Sequence, residues 1–207
     1  MGAEMAAPSA KSIGGRPPST TRERIAEVAL ELFSRQGFER TTIDEIATAA
    51  GIGRRTVFRY FPSKNDMVWA DFDRVLERLR TGLAMHAQEP MMEALRRAVI
   101  ESNLYEPREL PTLRMRMTLI TRVPVLQGHA VIRYAAWRRL VAEFCAARIG
   151  CRYDDLLPQA IAHAALGTSI AAFTRWVRIG DEDLLRCLDE AYRGLADGFA
   201  VEAIGHL

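Results

Sequence analysis

Two very short helices on either side of a glycine-containing turn constrain the fold of this chain more than any other feature. Residues 42–45, Thr-Ile-Asp-Glu, have the form of a capping box, in which a hydroxyl and a carboxylate satisfy free backbone N–H groups where a helix begins. Gly51-Ile52-Gly53 ends that helix after about two turns. A second helix begins at Arg54, and Pro62 prevents it from continuing far beyond Tyr60. This order of elements is the sequence form of a helix-turn-helix motif.

The second short helix concentrates positive charge, although the net charge of the whole chain is only +2. Residues 51–64 contain no acid and four basic residues, which are Arg54, Arg55, Arg59 and Lys64. At about 100° per residue, Arg55 and Arg59 face away from the apolar Val57, so their guanidinium groups point outward together. Such a face suits the major groove of DNA, because arginine matches the acceptor edge of guanine. On charge alone, a solvated basic face remains the alternative.

Helical periodicity continues through the rest of the chain. Apolar residues recur at spacings of three and four, and no stretch has the alternation of a strand, so we predict an all-α fold. A capping signal at Ser63 predicts one helix from residue 63 to about 84. The 19 uncharged residues 156–174 are long enough to span a membrane, but their polar and alanine content favours a helix packed on all sides. We therefore expect no membrane association.

The composition favours a protein of a reducing cytoplasm. The chain has 207 residues, of which 49% are apolar, so it can bury a core without covalent cross-links. Its three cysteines, Cys145, Cys151 and Cys187, are odd in number and form no Cys-x-x-Cys pair, which argues against disulfides and thiolate zinc sites.

Residues Thr42 to Lys64, TIDEIATAAGIGRRTVFRYFPSK, resemble the N-terminal domain of TetR-family transcriptional regulators. The likeness extends over about Thr20 to Phe72 and includes the AAG turn and the Thr56-x-Phe58-x-Tyr60-Phe61 run. It implies a homodimer that binds a palindromic operator in double-stranded DNA and carries an effector in its C-terminal domain. The corresponding division is a flexible arm (1–19), a helix-turn-helix DNA-binding domain (20–66) and a helical effector-binding and dimerisation domain (67–207).

The resemblance also implies which residues contact DNA. Phosphate contacts are implied at Thr42, Thr56, Tyr60 and Lys64. Base edges are implied to face Gly53, Arg54, Arg55 and Phe58, and Arg59 shares their outward surface. Two positions depart from the family, since Gly53 stands where many members have serine and Phe58 where tyrosine is commoner. In the arm, Arg16 is a candidate for a minor-groove contact, with plain disorder as the alternative.

An effector pocket is predicted from methionine and aromatic residues, which accommodate varied apolar ligands. The candidate residues are Met115, Tyr134, Trp137, Phe144, Phe173 and Trp176, and for each of them ordinary core packing is the alternative. Several arginines lie close by in sequence, among them Arg114 and Arg116, so an amphipathic anion would suit the site. Within the family the segment from Gly53 to Asp73 resembles regulators of the mycofactocin system, which implies a long-chain acyl-CoA effector.

The last two helices are expected to form the homodimer interface. Ser169 lies in an alanine- and glycine-rich segment, and Leu184, Leu188, Ala191 and Leu195 recur at helical spacing. In the family such a pair of helices forms a four-helix interface between protomers.

Other functional classes remain as alternatives. An enzyme or a helical ligand carrier is disfavoured because the four histidines form no metal-binding pattern and no nucleophile or phosphate-loop motif is present. We accordingly expect no catalytic residue, metal or cofactor. The helix-turn-helix could instead serve protein contacts, and the regulator could be an activator, since repression is only the family's usual mode.

Overall fold

The computed structural model describes residues 21–198, and in this range it contains ten helices and no strand, which confirms the all-α prediction. The helices are α1 (Arg22–Gln36), α2 (Ile43–Ala49), α3 (Arg54–Tyr60), α4 (Lys64–Val68), α5 (Phe72–Met85), α6 (Met91–Ser102), α7 (Leu110–Arg122), α8 (Pro124–Ile149), α9 (Leu156–Arg178) and α10 (Leu184–Ala196).

Helices α1 to α4 form the N-terminal unit around one apolar cluster. Ile25 and Phe33 of α1 meet Ile46 of α2 and Val57 of α3 there, and all four side chains are essentially buried. Helix α1 ends at Gly37, whose φ of 93° favours glycine. The capping box of α2 is present, and α1 packs against α2, α4 and α7. The short helices therefore owe their stability to tertiary packing rather than to their own length.

The prediction of a single helix from residue 63 to about 84 is wrong, because α4 ends at Val68 and α5 begins only at Phe72. The Ser63 capping box does form, so the predicted start is right. Met67, Val68 and Trp69 are all buried, whereas three consecutive residues of a regular α-helix span about 200° and cannot all face one core. The turn at residues 69–71 lets all three face inward.

Helices α5 to α10 form a bundle in which α9 packs between α8 and α10, and α5 packs against α6. At Gly82 a Cβ atom would lie 3.0 Å from the Cα of Ala98, so only glycine allows this approach of α5 to α6. Helices α9 and α10 are joined by the Tyr192 hydroxyl, which donates to the Ala165 carbonyl at 2.9 Å and lies 2.8 Å from Ser169 Oγ.

The leucine pattern of α10 serves this internal packing. Leu184 and Leu188 are buried within the protomer, which fits the close helix packing that their spacing predicts. Helix α9 is instead buried on one face only. Its exposed residues include Ala160, Ala164, Gly167 and Ala171. By length and composition alone α9 could also span a membrane, with a mean hydropathy of 1.3 in its most apolar window.

His86, at the C-terminus of α5, is an ionisable group built into the core. Its Nδ1 lies 2.9 Å from Glu89 Oε1 and its Nε2 lies 2.9 Å from Glu101 Oε1, and only 7% of the side chain is exposed. The hydrogen bond to Glu101 and then the one to Glu89 raise the pKa of His86, although burial and Arg97 oppose the shift. The imidazolium form therefore ties α5 to α6 and to the loop between them.

We expect the stability that His86 contributes to decline as the pH rises. A raised pKa in the folded state means that the contribution is complete below the unfolded value of about 6.5 and disappears as the pH passes through the folded pKa. Urea unfolding of His86→Gln should thus differ most from the parent near pH 6 and least in alkaline buffer, by roughly 1–3 kcal/mol at the acidic end. The control is His163→Gln, at an exposed residue of α9. A difference independent of pH would contradict this assignment.

Candidate functional site

Helix α3 presents the candidate DNA-reading face. Val57 is fully buried, whereas Arg55 and Arg59 are exposed on the opposite side of the helix and Arg54 is exposed on its first turn. Gly53 is the N-cap residue, and no side chain caps the helix, as the replacement of serine by glycine leads one to expect. Three guanidinium groups on a helix of seven residues make a compact positive surface, and the free backbone N–H groups at its N-terminus add to that potential.

The three arginines differ in how they are held. The Arg54 guanidinium pairs with Asp44 of α2 at 2.8 Å and lies 5.5 Å from the ring centre of Phe58, which is 42% exposed. Arg59 lies over the Tyr60 ring at 5.3 Å. Within residues 21–198, Arg55 has neither a hydrogen bond nor an ion pair, so it is free to meet a base edge without breaking a contact.

The residues implied as phosphate contacts have different surroundings. Thr42 Oγ1 is exposed but already donates to Glu45 Oε2 at 2.8 Å, and the backbone N–H of Thr42 lowers the pKa of Glu45. Thr56 and Tyr60 are half-buried on α3. Phe61 is fully buried beneath the Arg22 guanidinium, so it belongs to the core. Arg16 lies outside the described residues.

Lys64 is engaged within the protein. Its ammonium donates to the carbonyl oxygens of Phe38, Glu39 and Thr41 at 2.9, 3.3 and 3.4 Å, and it lies 4.5 Å from the Phe38 ring centre. These three acceptors use all three N–H donors of a lysine. We therefore propose that Lys64 ties α4 to the connection from α1 to α2, as an alternative to the phosphate contact that the resemblance implies.

We expect Lys64→Met to lower the free energy of unfolding by about 1–3 kcal/mol, since the carbonyl oxygens of Phe38, Glu39 and Thr41 lose a charged donor. The salt dependence of the operator affinity should stay the same, because the substitution removes no phosphate contact. Operator binding measured from about 0.05 to 0.2 M salt tests this. A log–log slope that falls by about 0.9 would restore the phosphate role.

A second site is an apolar cavity of about 80 Å³ where the turn at residues 69–71 meets α7, α8 and α9. Tyr134, Trp137 and Phe173 line it, as the sequence predicted. Tyr134 packs edge-on against Trp69 with ring centres 5.5 Å apart, and burial raises the pKa of Tyr134 to about 12. The wall is therefore largely aromatic.

The other three predicted pocket residues lie elsewhere. Met115 is on the opposite side of α7, in a groove against α1. Phe144 is near the C-terminus of α8, where Arg148 covers its ring. Trp176 is buried beneath Arg114, whose guanidinium carbon lies 4.0 Å from its ring centre. Sequence composition could not separate these residues from true cavity residues, because all are large, apolar and helical.

The cavity also contains one arginine that the sequence placed near the pocket and two aromatic residues that the sequence did not indicate. Trp69, Phe72 and Arg116 line it, and within the described chain the indole Nε1–H of Trp69 and the Nε–H of Arg116 have no acceptor although both atoms are buried. Two unpaired donors in an apolar wall suit a ligand that carries an acceptor group next to its apolar part. The signal that could have found Trp69 is the run of three consecutive large apolar residues at 67–69.

A polar cleft of about 680 Å³ adjoins the cavity. Four residues line both spaces, which are Asp71, Tyr105, Leu113 and Arg116. The cleft extends from them to α1, where Glu23 and Glu27 form its far wall. A ligand with an apolar part in the cavity would therefore have its polar part between the bundle of α5 to α10 and the N-terminal unit of α1 to α4, which is the candidate DNA-reading unit.

Comparison with known proteins identifies the class. Residues 25–70 match the family model of bacterial regulatory proteins of the tetR family, and residues 89–200 match that of the MftR C-terminal domain. The chain therefore belongs to the TetR family of bacterial transcriptional regulators. It is similar in particular to the protein of Mycobacterium tuberculosis designated mycofactocin biosynthesis transcriptional regulator MftR, with 38% identity over 179 residues, 86% of this chain and 90% of the relative.

Solved structures share the fold. FadR of Thermus thermophilus, a TetR-family repressor crystallised with lauroyl-CoA, is 28% identical, has a TM-score of 0.57 and matches over 87% of this chain and 96% of its own. A regulator of Syntrophomonas wolfei has a TM-score of 0.66 at 16% identity, over 87% of this chain and 96% of its own, and supports the fold alone. The resemblance to TetR-family regulators drawn from residues 42–64 is confirmed.

Proposed function

We propose that this regulator is a homodimeric repressor that binds a two-fold symmetric operator through α3 and is released by a long-chain acyl-CoA. The observation that carries the proposal is the position of the cavity, which is walled by the turn at 69–71 immediately after α4 of the DNA-reading unit. A ligand in that cavity touches the same short segment that holds α4 in place. The proposed domain boundaries remain 20–66 and 67–207, and the site of action is the cytoplasm.

The DNA side of the proposal rests on the exposed face of α3. Arg55 is the candidate for a guanine edge, with Arg54 and Arg59 beside it and Phe58 available for a thymine methyl. Thr42, Thr56 and Tyr60 remain candidates for phosphate, together with the N-terminal backbone of α3. Gly53 brings that backbone close to the groove without a side chain.

The effector side rests on the pairing of an apolar cavity with a polar cleft. Such a pair fits an amphipathic molecule, and the lauroyl-CoA complex of the Thermus relative supports the acyl-CoA class. At about 80 Å³ the cavity is smaller than the engineered void of about 150 Å³ that holds one benzene. A long acyl chain must therefore widen it, and widening displaces side chains such as Trp69 and Phe173.

Displacement of the turn would be passed to α4 through Asp66. This carboxylate caps α4 through Ser63 and accepts a hydrogen bond from Arg133 of α8 at 2.7 Å. Burial opposes its ionisation, but the hydrogen bonds from Ser63 and Arg133 outweigh burial and lower its pKa. A shift of α8 or of the turn at 69–71 thus acts directly on α4, the last helix of the DNA-reading unit.

The dimer is proposed to form through α9 and α10. The exposed face of α9 carries small uncharged residues, Ala160, Ala164, Gly167 and Ala171, which allow close approach of a second copy. A dimer contact on this face explains why α9 is apolar on both sides, so no membrane span is needed to account for its composition. A monomer at micromolar concentration in light scattering would contradict this part of the proposal.

The test is titration of palmitoyl-CoA into the complex of the protein with its fluorescent operator, below the micellar concentration of the ligand. We expect release that corresponds to a 5- to 150-fold loss of operator affinity, or about 1–3 kcal/mol of coupling. Free CoA controls for charge, and a neutral detergent of equal chain length controls for surfactant effects. A helical carrier, the alternative, would bind palmitoyl-CoA without binding any operator.

A further inference from the structure

We infer that Glu23 and Glu27 of α1 couple the effector to DNA release, because they repel the anionic part of a ligand that the arginines across the polar cleft hold. This inference rests on the proposed function, in which the effector is an acyl-CoA. It assigns the coupling to two carboxylates that take no part in binding DNA.

The two walls of the cleft differ in charge. On the side of α5 and α7, three arginines, Arg74, Arg108 and Arg116, line it. On the side of α1, the lining residues are Glu23, Ala26 and Glu27, so among the described residues this wall has carboxylates and no cation. Both glutamates are exposed, and within residues 21–198 Glu27 has only a solvated pair with Arg24 at 3.3 Å.

The wall on the side of α5 and α7, which carries the three arginines, has donors left to bind an anion. Arg74 is bound to Asp71 at 2.7 Å and to Glu109 at 3.3 Å, and Arg116 is bound to Asp71 at 3.4 Å. Arg108 has no ion pair within residues 21–198 and is exposed, and the Nε–H of Arg116 has no acceptor. A phosphate or thioester at the mouth of the cavity would find donors on this wall and repulsion on the other.

The direction of the resulting force follows from the packing. Helix α1 packs directly against α7 across the cleft, and it also packs against α2. A negative group held on α7 pushes α1 away, and α2 and α3 move with α1 because they share its core. The Debye length at physiological salt is about 8 Å, so repulsion between charges within that distance is screened only in part.

Linkage gives the sign of the expected changes. If the repulsion disfavours the DNA-binding conformation when ligand is present, its removal must make the ligand bind more tightly to that conformation and must weaken release. Exposed charge interactions are each worth up to about fivefold. A ligand with the same chain and a neutral head should fill the cavity and release DNA less than palmitoyl-CoA does.

The experiment compares Glu23→Gln/Glu27→Gln with the matched double variant Glu31→Gln/Glu39→Gln. The control pair changes the charge of the same unit equally, is exposed and does not line the cleft. For each protein, operator affinity is measured with and without palmitoyl-CoA, and ligand affinity is measured by calorimetry without DNA. Thermal melting confirms that each variant folds.

We expect the cleft variant, Glu23→Gln/Glu27→Gln, to bind palmitoyl-CoA two- to fivefold more tightly than the parent. Release of the operator by palmitoyl-CoA should be weakened by a similar factor per carboxylate. The control pair should behave like the parent. Equal release in the cleft variant and the parent would overturn the inference and leave the proposed function standing. Failure of palmitoyl-CoA to release the parent protein would overturn the proposed effector class, and the inference with it.

Discussion

Replacement of Arg55 by alanine is expected to weaken operator binding by about 1–3 kcal/mol and to relax base preference at one position of each half-site. The expectation follows from the position of Arg55 on the exposed face of α3, opposite the buried Val57. Unlike Arg54, which pairs with Asp44, Arg55 has no partner to lose within residues 21–198. Its guanidinium can therefore form a bidentate contact at little cost in broken interactions.

The matched control is Arg80→Ala, on α5. Arg80 is exposed and, within the part of the chain that the structure describes, pairs only with Glu77, one turn away, so the substitution removes the same charge without touching the reading face. Binding of both variants to the operator and to single-base variants of it separates lost specificity from lost charge. If both variants lose affinity equally for every sequence, the assignment of Arg55 to a base edge fails.

Replacement of Met117 by tryptophan is expected to abolish the response to palmitoyl-CoA while operator binding is kept. Met117 lies on α7 in the cavity wall and is 8% exposed, so a larger side chain there occupies space that the acyl chain needs. Overpacking should cost about 1–3 kcal/mol of stability, which a small helical domain can tolerate. The 5- to 150-fold release expected of the parent should then disappear.

The control for this variant is Met85→Trp, because Met85 is 71% exposed at the end of α5 and far from the lining of the cavity. Calorimetry should show loss of palmitoyl-CoA binding in the cavity variant and normal binding in the control. A cavity variant that still binds the ligand and still releases DNA would show that the effector site lies elsewhere.

Much of the fold could be predicted from the sequence because local signals and tertiary packing agree. The capping boxes at Thr42 and Ser63 and the glycine at 37 place helix ends where the structure has them. The break at residues 69–71 could not be predicted, since Val68, Phe72, Val75 and Leu79 keep helical spacing through it. Burial of Trp69 against Tyr134 of α8 and Phe72 of α5 favours the turn, and these partners are distant or hidden in the sequence pattern.

The candidate sites likewise include features that the sequence predicts and features that only the structure shows. The outward face of α3 follows from helix geometry alone, because Val57 fixes which side faces inward. The cavity depends on which aromatic residues of three separate helices, of the turn at 69–71 and of the loop before α7 meet. Composition cannot tell Tyr134, which lines the cavity, from Trp176, which does not. The role of Lys64 also needed the structure, because its three carbonyl acceptors come from residues more than 20 positions away.

The central claim is that α3 reads a specific DNA sequence as part of a symmetric dimer. Selection of bound sequences from a random duplex pool with purified full-length protein, at about 0.15 M salt to suppress nonspecific phosphate binding, tests it most directly. We predict enrichment of a two-fold symmetric site. In the same selection with Arg55→Ala, the base preference at one position of each half-site should be lost. Recovery of no enriched sequence from ligand-free protein would contradict the claim.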